Sequence, residues 1–367
     1  MNVVLAEKLL NQVMGWSPSE FNKLGLEFQA MATYKYDSYQ QFTPGMRFTE
    51  SLARWLGQFP PSKRAIAIQY VRSRLVFLSE DEMNHLVSIS YPDVIRPLLF
   101  KASADIANIE PHRIKKISVS PAFRRLERET LFLGLSDGAR TDIFRRANKH
   151  LSNEQVRNTH ELMQERVTSL LQDLRKETNS IPDEKGPSEA FRTIVLLDDF
   201  SGSGLSYVRT ETGGGITGKL GKFVTNLSNP NHSYSGLVHK DGFDVIVVLY
   251  MATTKAEENL RKALETLAGA RGFNVHVLTV QQLPSTCQLD AQSAGEMDQL
   301  IQEFYDKKNE SSATEIGGTD LRYGFNGCGL SLVLAHNTPN NSIGLLWAEG
   351  PKMTPLFPRI TRHKDFA

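Results

Sequence analysis

The sequence predicts an α/β fold, in which a parallel sheet is flanked by helices and follows an α-helical N-terminal region. From about residue 128, short apolar strands alternate with amphipathic helices, a pattern typical of parallel sheets buried on both faces. Before residue 110, apolar residues recur at helical spacing and prolines separate short segments. We therefore predict a helical accessory or partner-binding region over residues 1–115 and a ligand-binding domain over residues 116–367.

The composition is that of an ordinary globular protein, with 40% hydrophobic and 23% charged residues. No apolar run approaches the roughly 18 residues that a membrane span requires, and the N-terminus lacks the pattern of a secretion signal. Cys287 and Cys328 stand without metal-ligand spacing, which favours a reducing compartment and argues against a zinc site. We expect a cytoplasmic protein that is not associated with a membrane.

The charge is balanced overall, with 42 basic and 41 acidic residues, but residues 1–125 carry 16 basic against 11 acidic ones. The excess is concentrated in one stretch, comprising His112, Arg113, Lys115, Lys116, Arg124, Arg125 and Arg128. Such a stretch is usually a solvated face. The alternative is a contact surface for nucleic acid or an acidic partner.

Individual elements follow from periodicity and capping signals. Residues 64–78 are predicted as one helix, after which Ser79 and Glu82 form a capping box. Four apolar runs, 130–135, 193–197, 243–250 and 273–280, are predicted as strands. Ser152 with Gln155, and Thr254 with Glu257, are predicted to cap the long helices between them. Residues 330–336 and 343–347 are predicted as a closing pair of strands.

The most informative stretch is residues 194–206, where an apolar strand leads into Asp198 and Asp199 and then into a Ser-Gly-rich turn. Backbone amides and hydroxyls in such a turn suit a phosphate dianion. Two carboxylates beside a phosphate would repel it unless they face ribose hydroxyls and a magnesium ion. We therefore expect a ligand-binding loop, which consists of Ser201, Gly202, Ser203, Gly204, Leu205 and Ser206. The alternative is an ordinary buried strand with a polar turn.

A second loop follows the strand at 130–135. Gly138 would allow close approach of the backbone to a ligand, and Arg140 would balance the charge of an anionic leaving group. The predicted binding residues in this loop are Ser136, Asp137, Gly138, Ala139 and Arg140. A simple turn with surface arginines is the alternative.

Residues 336–341, His-Asn-Thr-Pro-Asn-Asn, directly follow a predicted strand and read first as a tight turn. Asn337 and Asn340 are also candidates for hydrogen bonds to a base, and His336 is a candidate acid or base. A further segment, Gly213 to Leu220, approaches the P-loop pattern, but Leu220 replaces the hydroxyl residue that would hold magnesium. We interpret it as a mobile loop that closes over substrate.

The stretch around Asp198 and Asp199 resembles the phosphoribosyl pyrophosphate signature of type I phosphoribosyltransferases, in which two acidic residues precede Thr-Gly-x-Thr. The resemblance implies that residues 116–367 have the type I phosphoribosyltransferase-like fold. It also implies that the two acids bind the ribose, that residues 203–206 bind the 5′-phosphate, and that Mg²⁺ is the cofactor. Ser201 and Gly202 replace the usual apolar and hydroxyl residues, and serines stand where threonines are typical.

A closer resemblance is to the phosphoribosyltransferase-like proteins of bacterial conflict systems, found among the effectors of antiphage retrons. It rests on residues 134–140, 198–204 and 336–341 together with Trp347. It implies an effector that is held by a reverse transcriptase and its RNA–DNA hybrid, and an oligomer is a further expectation.

If the site is active, Asp198, Asp199 and Arg140 are its catalytic residues, and the reaction breaks the bond between ribose C1 and pyrophosphate or a base. Phosphoribosyl pyrophosphate or a nucleotide is the expected ligand, with Asp198 and Asp199 acting on Mg²⁺ indirectly. Two alternatives remain open: a nucleotide-sensing or assembly module without turnover, and a nucleobase salvage phosphoribosyltransferase.

Overall fold

The computed structural model describes residues 2–183, 185–210, 216–227, 229–234, 236–310, 312–351 and 353–360. Contacts divide the chain into two compact units: unit 1 comprises Met1–Glu82 and Pro284–Ala367, and unit 2 comprises Met83–Leu283. The predicted boundary between residues 115 and 116 therefore lies inside unit 2. The assignment of ligand binding to residues 116–367 stays a prediction.

The N-terminal region is mostly helical, as predicted. Proline occupies the first turn of several helices, where its missing N–H group would have no partner in any case. The predicted capping box is confirmed, since Ser79 N donates to Glu82 Oε2 over 2.8 Å and Glu82 N donates to Ser79 Oγ over 3.2 Å. The helices are α1 (Val3–Met14), α2 (Pro18–Glu20), α3 (Leu26–Tyr34), α4 (Phe48–Gly57), α5 (Pro61–Arg74), α6 (Glu80–Ser90), α7 (Arg96–Ala107), α8 (Ile114–Ser118) and α9 (Pro121–Arg128), with π-helical segments at Phe21–Gly25 and Tyr91–Ile95.

The prediction of one helix over residues 64–78 is wrong at its C-terminal end. Helix α5 stops at Arg74, and β1 (Val76–Leu78) is a strand that pairs in parallel with Leu332–Leu334. The apolar run suits a buried strand as well as a helix, and a distant pairing partner decides between them.

Within the described residues, five strands of unit 2 form one all-parallel sheet, which confirms the predicted α/β fold. Its order is β3-β2-β4-β7-β8, and β5 and β6 form a separate antiparallel pair. The strands are β2 (Thr130–Gly134), β3 (Val156–Arg157), β4 (Thr193–Ser201), β5 (Arg209–Thr210), β6 (Ile216–Thr217), β7 (Asp244–Thr253) and β8 (Asn274–Leu283). The helices among them are α10 (Thr141–Ala147), α11 (Gln164–Thr178), α12 (Lys219–Leu227) and α13 (Thr254–Arg271).

Two of the predicted helix starts are displaced. Ser152 and Gln155 do form a capping box, but it caps only a 3₁₀ turn, and α11 begins at Gln164. The N-cap of α13 is Thr253, whose side chain accepts a hydrogen bond from Ala256 N, rather than Thr254. Both errors arise because a capping signal fixes a local turn, whereas packing decides whether a helix continues from it.

The C-terminal part of unit 1 contains α14 (Glu296–Phe304), α15 (Ser312–Gly317), β9 (Leu332–Leu334) and α16 (Gly344–Trp347). The strand predicted at 343–347 is therefore wrong, since this buried apolar run forms one helical turn. Trp347 Nε1 donates to Ser342 O over 2.9 Å and fixes the turn. Across the described residues, no helix combines the length and the apolar character needed to cross a bilayer.

Each unit has its own hydrophobic core. In unit 1, Phe357 packs against Phe48, Phe77 and Tyr39, with ring centroids 5.6, 5.8 and 5.1 Å apart. Residues from both ends of the sequence therefore build this core. In unit 2, apolar residues of the sheet and its covering helices form the second core.

Candidate functional site at the carboxyl edge of the sheet

The two predicted loops meet at the carboxyl edge of the unit 2 sheet. Strands β2 and β4 are parallel neighbours, and Gly134 pairs with Leu197. Residues that follow these two positions therefore emerge side by side, where ligands bind in open parallel sheets. Ser136 Oγ donates a hydrogen bond to the Asp198 carboxylate and joins the loops directly.

Strand β4 is longer than predicted, because it continues to Ser201 and pairs with β7 as far as Ala252. Asp198 and Asp199 are therefore strand residues rather than the first residues of the loop. Successive side chains of a strand point to opposite faces, and the two acids accordingly differ in burial. Asp198 is 2% exposed, whereas Asp199 is half-buried.

The Asp198 carboxylate is engaged on all sides by protein groups. Tyr207 OH donates to its Oδ2 over 2.8 Å, and Lys219 Nζ lies 3.6 Å from the same atom. Burial, and then the neighbouring Asp199 charge, raise the pKa of Asp198 to about 6 in spite of Lys219 and the hydrogen bonds from Ser136 and Tyr207. Asp198 thus holds the two loops together, and Asp199 is the more accessible acid.

This pKa predicts a stability effect for Asp198→Asn. A carboxyl whose folded pKa lies above its unfolded value of 3.8 destabilises the fold as pH rises through the interval between the two values. Between pH 4 and pH 7, the difference in free energy of unfolding between Asp198→Asn and wild type should move by about 2 kcal/mol in favour of the variant. Urea unfolding of both proteins at the two pH values measures this shift. A difference that does not change with pH would contradict the burial of an ionisable Asp198.

Gly138 lies directly against Asp199. A Cβ at Gly138 would lie 2.5 Å from Asp199 Cγ, closer than real side chains permit. Tyr250 OH, on strand β7, donates to Ala139 O over 2.6 Å and fixes this loop against the sheet.

Arg140 adopts the left-handed conformation at φ 45°, which is uncommon for a residue other than glycine. Its Nη1 donates to Asn84 Oδ1 over 3.3 Å.

The turn after β4 packs against α13. Gly204 has φ +80°, and a Cβ there would lie 2.9 Å from Ala256 O, so that both its conformation and its surroundings require glycine. Thr253 Oγ1 donates to Gly202 O over 2.8 Å, and Asn259 Nδ2 donates to Ser203 O over 3.1 Å. These contacts hold the turn in one backbone conformation.

The hydroxyl oxygens of Ser201 and Ser203 accept hydrogen bonds from backbone N–H groups within the turn. Ser201 Oγ accepts from Gly204 N over 3.1 Å, and Ser203 Oγ accepts from Leu205 N over 3.4 Å. By contrast, the backbone N–H groups of Ser203 and Ser206 make no hydrogen bond within the described residues, and Ser206 is exposed. The two hydroxyls accept in these bonds and keep their O–H groups as donors, so that amides and hydroxyls of the turn together can donate to an anion.

His336, Asn337 and Asn340 belong to unit 1, in the turn that follows β9. Asn337 Oδ1 accepts from Thr338 N over 3.0 Å, and its Nδ2 donates to Ile360 O over 3.2 Å. Main-chain oxygens of His336 and Asn340 accept from Gln41 Nε2 and Phe325 N, each over 2.7 Å. These bonds give the residues a structural role in unit 1, and a ligand-binding role stays a prediction.

Tyr207, Lys219 and Tyr250 were not predicted as site residues. Tyr207 directly follows the predicted loop, and Lys219 belongs to the glycine-rich segment interpreted as a mobile covering loop. Gly213 to Gly215 lie outside the described residues, whereas Gly218, at φ +94°, precedes α12 and brings Lys219 to Asp198. The sequence signal that could have identified Lys219 as a site residue is its position at the end of a glycine-rich segment.

The basic stretch divides into two groups. Arg125 and Arg128 are buried and form ion pairs with Asp183 and Glu177. The exposed members are His112, Arg113, Lys115, Lys116 and Arg124. Two of the seven positions therefore stabilise unit 2 and do not contribute to a contact surface.

Comparison with known proteins supports the fold and its class. The family model PRTase-CE matches residues 52–359. No curated protein and no solved structure matches the chain. The match includes both loops of the site and the whole parallel sheet. The chain therefore belongs to the PRTase-CE family, the phosphoribosyltransferases of conflict systems.

Proposed function

We propose that the carboxyl edge of the unit 2 sheet binds a phosphoribosyl ligand of the phosphoribosyl pyrophosphate type. One observation carries the proposal: Ser136 and Gly138 contact Asp198 and Asp199, so that the loop after β2 and the paired acids form one site. Separate surface turns would not require this contact. Family membership supports the same ligand class.

Each group has a distinct role in this proposal. Asp199 accepts hydrogen bonds from the ribose hydroxyls, and the N–H groups of Ser203 and Ser206 bind the 5′-phosphate. Arg140 binds the pyrophosphate. Asp198 is a positioning residue, since its oxygens are engaged by Ser136, Tyr207 and Lys219.

The donor set is compatible with magnesium in an indirect role. Among the described residues, no three His, Cys, Asp or Glu side chains are grouped so as to hold a metal ion. Mg²⁺ is commonly bound through one or two carboxylates together with substrate phosphates. Asp199 and the ligand's own phosphates would supply these oxygens, and the ion would neutralise the charge of pyrophosphate. The protein's part is to hold the ribose and orient its C1 atom.

Gly138→Ala tests the proposal. The added methyl group displaces the Asp199 carboxylate, because it would lie 2.5 Å from Asp199 Cγ. Affinity for phosphoribosyl pyrophosphate in the presence of Mg²⁺ should fall at least tenfold in calorimetric titration, equivalent to about 1.4 kcal/mol. Retention of wild-type affinity would show that Asp199 is not a ligand-binding residue.

Gly269→Ala is the matched control for this substitution. Gly269 lies in α13, and a Cβ there meets nothing within 4 Å. The change should leave ligand affinity unaltered and stabilise the helix by up to about 1 kcal/mol.

Pyrophosphate release, measured in the same titrations of the wild-type protein, separates an enzyme from a module that binds the ligand without turnover.

We also propose the biological context that the resemblance implies: an effector of a bacterial antiphage retron, associated with a reverse transcriptase and its RNA–DNA hybrid in the cytoplasm. Family membership supports a conflict-system role. Affinity purification of the tagged protein from cells that encode a neighbouring reverse transcriptase tests the association. Size-exclusion chromatography with light scattering measures the oligomeric state.

A further inference from the structure

His160 lies at the same edge of the sheet as the candidate site. It follows the short strand β3, which pairs with β2, and the chain passes so close to β2 that a Cβ at Gly134 would lie 2.6 Å from Asn158 O. Gly134 is two residues before Ser136, which contacts Asp198. His160 is therefore next to the loop after β2.

The ring of His160 is held in one orientation. Its Nδ1 lies 3.3 Å from Gly134 O, and a carbonyl oxygen can only accept, so that Nδ1 carries the proton. Phe223 packs edge-on against the ring at 5.8 Å, and Tyr234 OH donates to His160 O over 3.1 Å. Nε2 has no hydrogen-bond partner within the described residues and carries the lone pair.

Burial favours the neutral form of the His160 ring. Burial lowers the pKa of His160, the Gly134 carbonyl and Glu161 oppose this effect, and the positive charge of Lys219 adds to it. Lys219 also lies 3.6 Å from the Asp198 carboxylate. The imidazole is thus a neutral base at pH 7, placed beside the loop after β2.

We propose that His160 Nε2 is the proton acceptor for the nucleophile that attacks ribose C1. This inference rests on the proposed function and names the acceptor class: a nucleobase that reacts through a ring N–H group. The bond between C1 and the pyrophosphate oxygen breaks, and its electron pair leaves with pyrophosphate. The C1–N bond forms from the ring nitrogen, whose proton passes to Nε2 and leaves an imidazolium.

His160→Gln tests this role, and His239→Gln is the matched control. His239 is also a partly buried histidine of unit 2, and burial lowers its pKa. It lies at the opposite edge of the sheet, however, because its N–H group donates to Phe191 O, just before β4 begins. Each protein is titrated with phosphoribosyl pyrophosphate and Mg²⁺. Pyrophosphate release is then followed from pH 5 to 9 with a panel of purine and pyrimidine bases.

For His160→Gln we expect ligand affinity close to that of wild type, about a 100-fold loss of pyrophosphate release, within the range of general base catalysis, and loss of the acid limb of the pH profile. His239→Gln should match wild type in all three measurements. Release by His160→Gln at the wild-type rate would overturn the inference. Binding by wild type without release for any base would also overturn it but leave the proposed ligand site standing. Absence of binding by wild type would overturn the proposed function itself.

Discussion

Asp199→Asn is expected to lose phosphoribosyl pyrophosphate affinity by about 100-fold or more. Hydrogen bonds to a charged group contribute about 1.5–3 kcal/mol each, and two ribose hydroxyls would bind this carboxylate. The fold should remain intact, because the asparagine oxygen can still accept from Phe200 N, as Asp199 Oδ1 does over 2.8 Å. Calorimetric titration measures the affinity, and urea unfolding measures the stability.

Asp241→Asn is the control for this charge removal. Asp241 is exposed and precedes β7, at the amino end of the parallel strands. Neither affinity nor stability should change in this variant. Equal affinities of Asp199→Asn and wild type would remove Asp199 from the ligand site, and an unfolded Asp199→Asn would assign it a structural role instead.

Arg125→Ala is expected to destabilise unit 2 by about 3–5 kcal/mol, the usual cost of removing one partner from a buried ion pair. Arg125 is 5% exposed, and its guanidinium donates to Asp183 over 2.6 and 2.5 Å and to Ser188 Oγ over 2.7 Å. Glu129, 4% exposed, lies 3.8 Å away. The variant would remove the guanidinium that Asp183 and Ser188 share and leave Glu129 paired with the half-exposed Arg192, at 3.4 Å.

Arg124→Ala removes the same side chain from the adjacent, exposed position. Its stability should stay within about 0.5 kcal/mol of wild type, as is usual at the surface. Chemical unfolding, followed by the fluorescence of an engineered probe in unit 2, compares the two variants. Similar stabilities would show that the Arg125 ion pairs add nothing to the fold.

The parallel sheet could be predicted because its strands are long, apolar and separated by helical patterns. The strands at 130–135, 193–197, 243–250 and 273–280 all exist, with β4, β7 and β8 extending further than predicted. The extension of β4 to Ser201 depends on pairing with β7, and pairing between distant segments leaves little trace in local composition. The same reason explains why β1 was predicted as helix.

The loops of the candidate site could also be located from sequence, since glycines, acids and hydroxyl residues stand directly after two strands. The unequal burial of Asp198 and Asp199 could not be predicted. It depends on the extension of β4, which turns the two side chains to opposite faces. Tyr207 and Lys219, which surround Asp198, reach it only through the tertiary fold. His160 could not be predicted as a residue of this site either, because its neighbours Gly134 and Phe223 are distant in sequence.

The pairing of β1 with β9 has a consequence for how the protein is made. Val76–Leu78 must wait for Leu332–Leu334 to leave the ribosome before the two strands can join. Phe48 and Phe77, which pack on Phe357, therefore lack this partner during most of translation. In the last part of that interval, all residues of the five-stranded sheet have already been synthesised. Nascent chains should be most dependent on chaperones in this interval, since unpaired apolar segments aggregate readily.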